Sequence, residues 1–332
     1  MRQVPAGIVV HQPDTEVLER LLSLVASGGR RLFIFVNGPL DEPSDSLLGR
    51  LTSARVIRSR DNIGLGAGLN AIADAAIGES FSHVLLFDQD SEPSFDLAEQ
   101  LLARWTSETA KGARLAVVAP LLVPPAQGHY RQIRYSWRSD SGRSDSGRSD
   151  SGRSDSGRSD SGRSGPGRSG SRPGPLLPVH FAPTSGSLVC LSAYTVIGPF
   201  REDFFIGGID VEWGFRAWSR GYGSVIASDL TMVHRWGEAA SPDAARTPQI
   251  MRHSGLRKYY YIRHAVYSLR LPFIPLSWRV RYALGLCSQI GYLAVHGRGL
   301  RRTGAVVFAA LRDGATGRLG PVPPSLSKDI LQ

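Results

Sequence analysis

The stretch SHVLLFDQDSEPS (residues 82–94) decides how this chain reads. Four apolar residues, 84–87, run directly into Asp88-Gln89-Asp90. An apolar run of this length, closed by Ser and Pro, predicts a buried strand with its carboxylates at the carboxyl end. At the turn after such a strand the two carboxylates can converge. A convergent all-oxygen pair suits a hard cation, Mg²⁺ or Mn²⁺, which keeps some waters and also binds substrate phosphates. The same residues would serve equally as an ordinary turn, since Asp, Ser and Pro are turn formers.

Working outward, apolar strands alternate with helical patterns. Strands are expected at 7–10, 31–36, 55–58, 84–87 and 115–119, and helices at 16–26, 67–77 and 97–104. That alternation predicts an α/β domain with a mostly parallel sheet and crossover helices. Ligands of such sheets bind beyond the carboxyl ends of the strands, where Asp88 and Asp90 are expected. Further strands are expected at 188–191 and 224–227, with helical spacing of Val211, Phe215 and Trp218 between them.

Between these halves lies a segment of another kind. RSDSG repeats five times over 138–162 and then decays to 172, with eight Arg, five Asp and no apolar residue. It has nothing to bury, so it reads as a disordered insertion in a loop.

The chain has 332 residues, 42% of them apolar, enough for a large domain with an appendage. Two cysteines, Cys190 and Cys287, give no disulfide framework. No signal-peptide core is visible at the start, and the chain is expected to be cytoplasmic. Net charge is +10. The block 252–302 holds ten Lys and Arg, no acidic residue, and interleaved Tyr, Phe and Trp. That pattern suits an anionic membrane surface or a nucleic acid, or is simply a solvated basic face.

Three more clusters bear on chemistry. RDNIGLGAGLNAIADAAI (60–77) places Asn62, Gly64 and Asn70 around the start of a helix. Glycines there permit close backbone approach and offer N–H groups to an anion, or serve tight packing; the spacing is neither a P-loop nor a dinucleotide fingerprint. Asp210, Glu212 and Arg216 follow Gly207-Gly208. Asp210 is either a first-turn carboxylate or a base above a cleft. His234, in MVHRWG (232–237), gains interest as a metal ligand only if Asp88 and Asp90 hold a metal.

Taken in order, IVVHQPD, DNIGLGAGLN, LLFDQDSEP, TSGSLV, GPFREDFFIGGIDVEWGFRAWSRGYG, VHRWG and RKYYYIRHAVYSL (257–269) resemble the family 2 inverting nucleotide-sugar glycosyltransferases, especially their rhamnosyltransferase and galactofuranosyltransferase branches. The likeness runs over about 7–270, with a weaker echo in GATGRLG (314–320). It implies a GT-A-like, Rossmann-related fold over 1–250, interrupted by the 138–172 insertion, and a basic, mainly helical, membrane-proximal region over 251–332. It implies that Asp88 and Asp90 bind metal and diphosphate, that His234 is a further metal ligand, and that Asp210 is the catalytic base. Asn62, Gly64, Asn70 and Gln89 would join the donor site, and Ser185, Gly186, Ser187, Glu212 and Trp213 the acceptor side. The family's Asp-Asn-Gly after the second strand is Val36-Asn37-Gly38 here, and its Thr-Tyr-Asn before the proline is Val10-His11-Gln12, so that base recognition is either looser than in the family or uses His11.

The expected activity is metal-dependent inverting sugar transfer from a dTDP- or UDP-sugar to a glycan or lipid-linked acceptor in cell-envelope polysaccharide synthesis. The expected place is the inner face of the cell membrane. Rival readings are a nucleotidyltransferase, a nucleic-acid-binding protein using the basic surface and the RSDSG tract, and a non-catalytic relative.

Overall fold

A computed structural model describes residues 3–26, 29–123, 176–234, 255–296, 300–324 and 326. The RSDSG tract and the expected boundary at 250/251 lie outside the described residues. Strands β1 (Ala6–Val10), β2 (Leu32–Asn37), β3 (Ala54–Ser59) and β4 (His83–Asp88) alternate with helices α1 (Thr15–Ala26), α2 (Glu42–Gly49) and α3 (Leu65–Gly78). Helix α4 (Leu97–Ala110) leads to β5 (Leu115–Val123), and β6 (Leu176–Val179), β7 (Ser187–Cys190), α5 (Leu191–Ile197), α6 (Ile209–Ser219) and β8 (Gly223–Val233) follow. Three helices close the chain: α7 (Gly255–Ser268), α8 (Leu276–His296) and α9 (Leu300–Thr316).

The eight strands form one sheet in the order β3-β2-β1-β4-β7-β5-β8-β6. Strands β1 to β4 are parallel, as the strand–helix alternation predicts. The other half is mixed: β7 runs antiparallel to β4 and β5, and β6 antiparallel to β8. Strands β5 and β8 run parallel to each other there. Apolar periodicity marks a strand but not which way it runs beside its neighbour.

Every residue of β1 and β2 is buried, so both faces of the sheet are covered. Leu18, Leu21, Leu22 and Val25 of α1 press on one face, at helical spacing. Helix α3 covers the other with Leu69, Ile72, Ala73 and Ala76. It sits so close that a Cβ on Gly68 would meet Phe35 Cδ1 at 2.9 Å. Each fully buried Leu or Ile contributes about 1.5–3 kcal/mol.

The last three helices are less a solvated basic face than the sequence suggests. Tyr259, Tyr260, Ile262 and Ala265 of α7 join Leu286 and Leu293 of α8 and Val306, Ala309 and Ala310 of α9 in a core of their own. Arg263 is buried, with its guanidinium over the rings of Tyr259 and Tyr260. Arg279 donates to Ile274 O and Arg270 to Ala315 O. Arg263 of the basic block is therefore spent inside, while Arg270 and Arg279 tie down backbone carbonyls nearer the surface. This helical cluster packs on residues 204–208: Phe205 stacks on Tyr260, and Phe204 on His264 at 4.2 Å between ring centroids.

Candidate active site

The carboxyl end of β4 delivers Asp88, and the turn beyond it presents Asp90. Strand β8 ends beside that turn, although β7 and β5 lie between β4 and β8 in the sheet. Two backbone links hold it there: His234 N donates to Val123 O at 3.0 Å, and Glu92 pairs with Val233 in an isolated bridge. Ligand atoms of Asp88, Asp90 and His234 consequently lie within 4.8 Å of one another.

The electrostatics of this trio suit a divalent cation. Burial pushes the Asp88 carboxyl up to about 7, Asp90 pushes the same way, and the Arg257 guanidinium opposes both. Burial holds the His234 imidazole below its ordinary value, with Asp90 opposing. Neutral histidine is the form that ligates metal. Two carboxylates crowded together, plus one neutral imidazole, form a donor set that fits Mg²⁺ or Mn²⁺.

Asp210 stands in the first turn of α6, two residues after the Gly208 that caps the helix in left-handed conformation. Its carboxylate does not cap the helix; Oδ1 accepts the N–H of Val211 at 2.9 Å. Burial pushes it up to about 6, and Asp88 adds to the rise. The two carboxyl groups are thus near enough to feel each other's charge. A base that is poised near 6 takes a proton near neutrality.

A scan against known protein families matches none. The dTDP-rhamnosyl transferase RfbF of Shigella flexneri is 32% identical over 98 residues, 30% of this chain. The match spans 32% of that relative's length. S. aureus TarS 1-349 superposes over 95% of this chain and 82% of its own, with a TM-score of 0.55 and 10% identity. The same protein in complex with UDP-GlcNAc gives a TM-score of 0.52 at 10% identity, covering 95% of this chain and 91% of that one. The superposition shows an α/β, GT-A-like fold.

Within this GT-A frame the sequence-singled residues divide sharply. Asp88, Asp90 and His234 are brought together, and Asp210 lies within electrostatic reach of Asp88. Asn62 belongs to a closed network: His11 Nδ1 donates to Asn37 O at 2.8 Å, Asn62 Nδ2 donates to His11 Nε2 at 3.1 Å, and Asn37 Nδ2 donates to Asn62 Oδ1 at 3.0 Å. An open groove of about 400 Å³ adjoins it, lined by Val36, Gly38, Arg58 and Arg60.

The remaining candidates brace the site. Gln89 clamps the DQD turn to the end of β1, accepting from His11 N at 2.8 Å and donating to His11 O at 3.1 Å. Asn70 is buried and its amide is fully committed: Oδ1 accepts from Tyr194 OH and Phe200 N, and Nδ2 donates to Phe200 O and Glu202 Oε1. Gly64 N donates to Asn62 Oδ1, and Leu65 N donates to Phe205 O. The glycine-rich helix start thus receives residues 201–205 instead of offering those two N–H groups to an anion. A Cβ on Gly64 would meet Phe205 O at 2.8 Å, and one on Gly66 would meet Arg201 O at 2.4 Å.

On the side assigned to the acceptor, Glu212 is buried and bidentate with Arg216, at 3.0 and 2.9 Å. Trp213 is a core residue whose indole N–H donates to Gly198 O at 2.9 Å. Ser185 pairs with Ser91 at 2.8 Å, Gly186 N donates to Leu86 O at 2.7 Å, and Ser187 donates to Pro183 O. This loop stitches β4 to β7 and sets where β4 ends. A narrow pocket lined by Thr184, Ser187, Trp213 and Gly214 lies under Asp210.

Sequence reasoning passed over two residues that the fold brings in. Arg257, at the start of α7, adds positive charge to Asp88. His264 Nδ1 donates to Gly207 O at 2.9 Å, holding the turn from which Asp210 springs. The only sequence signal was their shared motif, RKYYYIRHAVYSL.

Proposed function

We propose that the chain transfers a sugar from a nucleotide-diphosphate sugar to an acceptor hydroxyl, with inversion and with Mg²⁺ or Mn²⁺. The observation that supports this reading is the meeting of Asp88, Asp90 and His234, with Asp210 within electrostatic reach of Asp88. Asp210 accepts the proton of the acceptor hydroxyl. The freed oxygen attacks the anomeric carbon from the face opposite the diphosphate, the bond from that carbon to the phosphate oxygen breaks, and the nucleoside diphosphate leaves with the electron pair. A divalent cation held by Asp88, Asp90 and His234 would supply the charge that stabilises this leaving group. The Arg257 side chain adds a second positive charge on the same side.

The nucleobase belongs in the groove beside His11, Asn37 and Asn62, where hydrogen-bonding groups and an open volume adjoin the strand ends. RfbF is named a dTDP-rhamnosyl transferase and TarS has been solved with UDP-GlcNAc, so dTDP-rhamnose and UDP-sugars are the first donors to test. A glycan or lipid-linked hydroxyl is the acceptor class, and residues from 251 onward form the part nearest a membrane. No described helix is long and apolar enough to cross one, which suits attachment at its surface.

The test is a thermal-shift screen of nucleotide sugars with and without Mn²⁺, followed by transfer assays with the stabilising donors. Because ligand binding raises stability by mass action, the true donor gives the largest metal-dependent rise. No rise with any nucleotide sugar in the presence of metal would overturn the reading.

A further inference from the structure

We propose that the exposed face of α8 lies in the headgroup layer of an anionic membrane. The inference deepens the membrane reading above and does not depend on the transfer chemistry. Leu276, Val280, Leu284, Cys287, Gly291 and Val295 follow one another at intervals of three or four along α8, and all are exposed. Leu276 is 70% exposed, Leu284 67% and Val295 76%. At about 1.5 Å per residue this stripe runs for roughly 30 Å. Solvent-facing helix surfaces normally carry charges, yet among the described residues Arg281 is the only charged one on this face. The opposite face of α8 is already satisfied, since Leu286 and Leu293 sit in the core shared with α7 and α9.

Charge decides between occupants. The stripe belongs to a block, 252–302, with ten Lys and Arg and no acidic residue. A second copy of this chain on the same face would set Arg281 against Arg281 and bring together two chains of net charge +10, whereas an anionic bilayer takes both the apolar stripe and the Arg281 cation beside it. No described helix is apolar enough to span, so α8 rests in the plane of the interface. Other exposed large apolar residues, such as Ile63, Phe95 and Val196, stand singly on the sheet domain, while Phe308 on α9 adds a further one to the helical cluster. Such a pose differs from purely electrostatic adhesion, because apolar insertion survives salt that screens charges.

The chain carries its own probe. Cys287 is exposed on the stripe and Cys190 is buried, so a thiol-reactive environment-sensitive fluorophore labels the native protein at Cys287. With vesicles containing phosphatidylglycerol, the label's emission should shift to the blue and be quenched by lipids bearing nitroxides on the acyl chains. Part of the binding should persist at high salt. Leu284→Glu and Val280→Glu should each weaken vesicle affinity about tenfold, while circular dichroism and metal-dependent donor binding stay as in the unsubstituted chain. A label unresponsive to vesicles, or variants that sediment with vesicles as well as the parent, would overturn the proposal. So would a concentration-dependent dimer that shields the label without lipid. Vesicle binding is read without donor or acceptor, so its failure is separate from a failure of the transfer reading.

Discussion

Asp88 Oδ2 lies 3.8 Å from His234 Nε2, across two intervening strands of the sheet. Neither residue has that neighbour until β8 is pinned to β5 and to the turn after β4. The contact is too long for a hydrogen bond, and the Asp88 side chain is only partly buried, at 37% exposure. Asp88→Ala, Asp90→Ala and His234→Ala should each abolish Mn²⁺-dependent donor binding measured by calorimetry. Burial resists ionising Asp88, so Asp88→Ala should leave the melting temperature of the metal-free protein unchanged or raise it. Full retention of Mn²⁺-dependent affinity in all three would remove the metal assignment.

Asp210 and Glu212 are two residues apart and should behave oppositely. Asp210→Asn keeps shape and removes the proton acceptor, so turnover should fall by roughly 10²–10⁴ with donor affinity and stability nearly intact. Glu212→Gln breaks the buried pair with Arg216 and should cost about 3 kcal/mol of stability by denaturant titration, with turnover of the folded fraction largely kept. Near-normal transfer by Asp210→Asn would place the base elsewhere.

Gly64→Ala tests whether the glycines hold a loop or an anion. Gly64 has φ +94°, and an added Cβ would strike Phe205 O. The substitution should destabilise the protein by about 1–3 kcal/mol and lower turnover by displacing residues 201–208. If stability is unaffected while donor affinity alone falls, the segment is a donor contact after all.

The pH dependence of stability isolates His264. Burial first, then the positive charge of Arg263, holds its imidazole down to about 3, against an unfolded value of about 6.5. The unfolded chain therefore binds the proton first, and the stability from this histidine is lost as pH falls from about 6.5 toward 3. Asp88 and Asp210, whose values are raised, act in the opposite direction, so the parent protein alone is a poor reporter. Relative to His264→Gln, the parent should lose about 1.4 kcal/mol per pH unit through that window, measured by denaturant titration at each pH. A constant difference between the two would show that His264 is not held neutral.

Sequence alone carried the parallel half of the sheet, because β1, β2 and β4 are apolar runs closed by turn residues and α1 and α3 keep a helical period. It also singled out Asp88, Asp90 and His234, which the fold brings together, and Asp210, through DQDSEP, IDVEW and VHRWG in their order along the chain. It did not separate them from the residues that brace the site. Asn70, Gln89, Glu212 and Trp213 belong to the same motifs as Asp88 and Asp210, yet their polar atoms are committed to protein partners, Arg216 in the same helix for Glu212 and residues far along the chain for Asn70 and Gln89. A polar side chain in a motif has the same chemistry whether it faces substrate or a buried carbonyl, and only packing decides which. Strand direction in the mixed half was equally hidden, since a local period marks a strand in β5 to β8 without telling which way it runs. The stripe on α8 was hidden for a related reason. Apolar residues lie all around that helix, and until α7 and α9 cover one side, nothing in their spacing tells which face is left to the solvent.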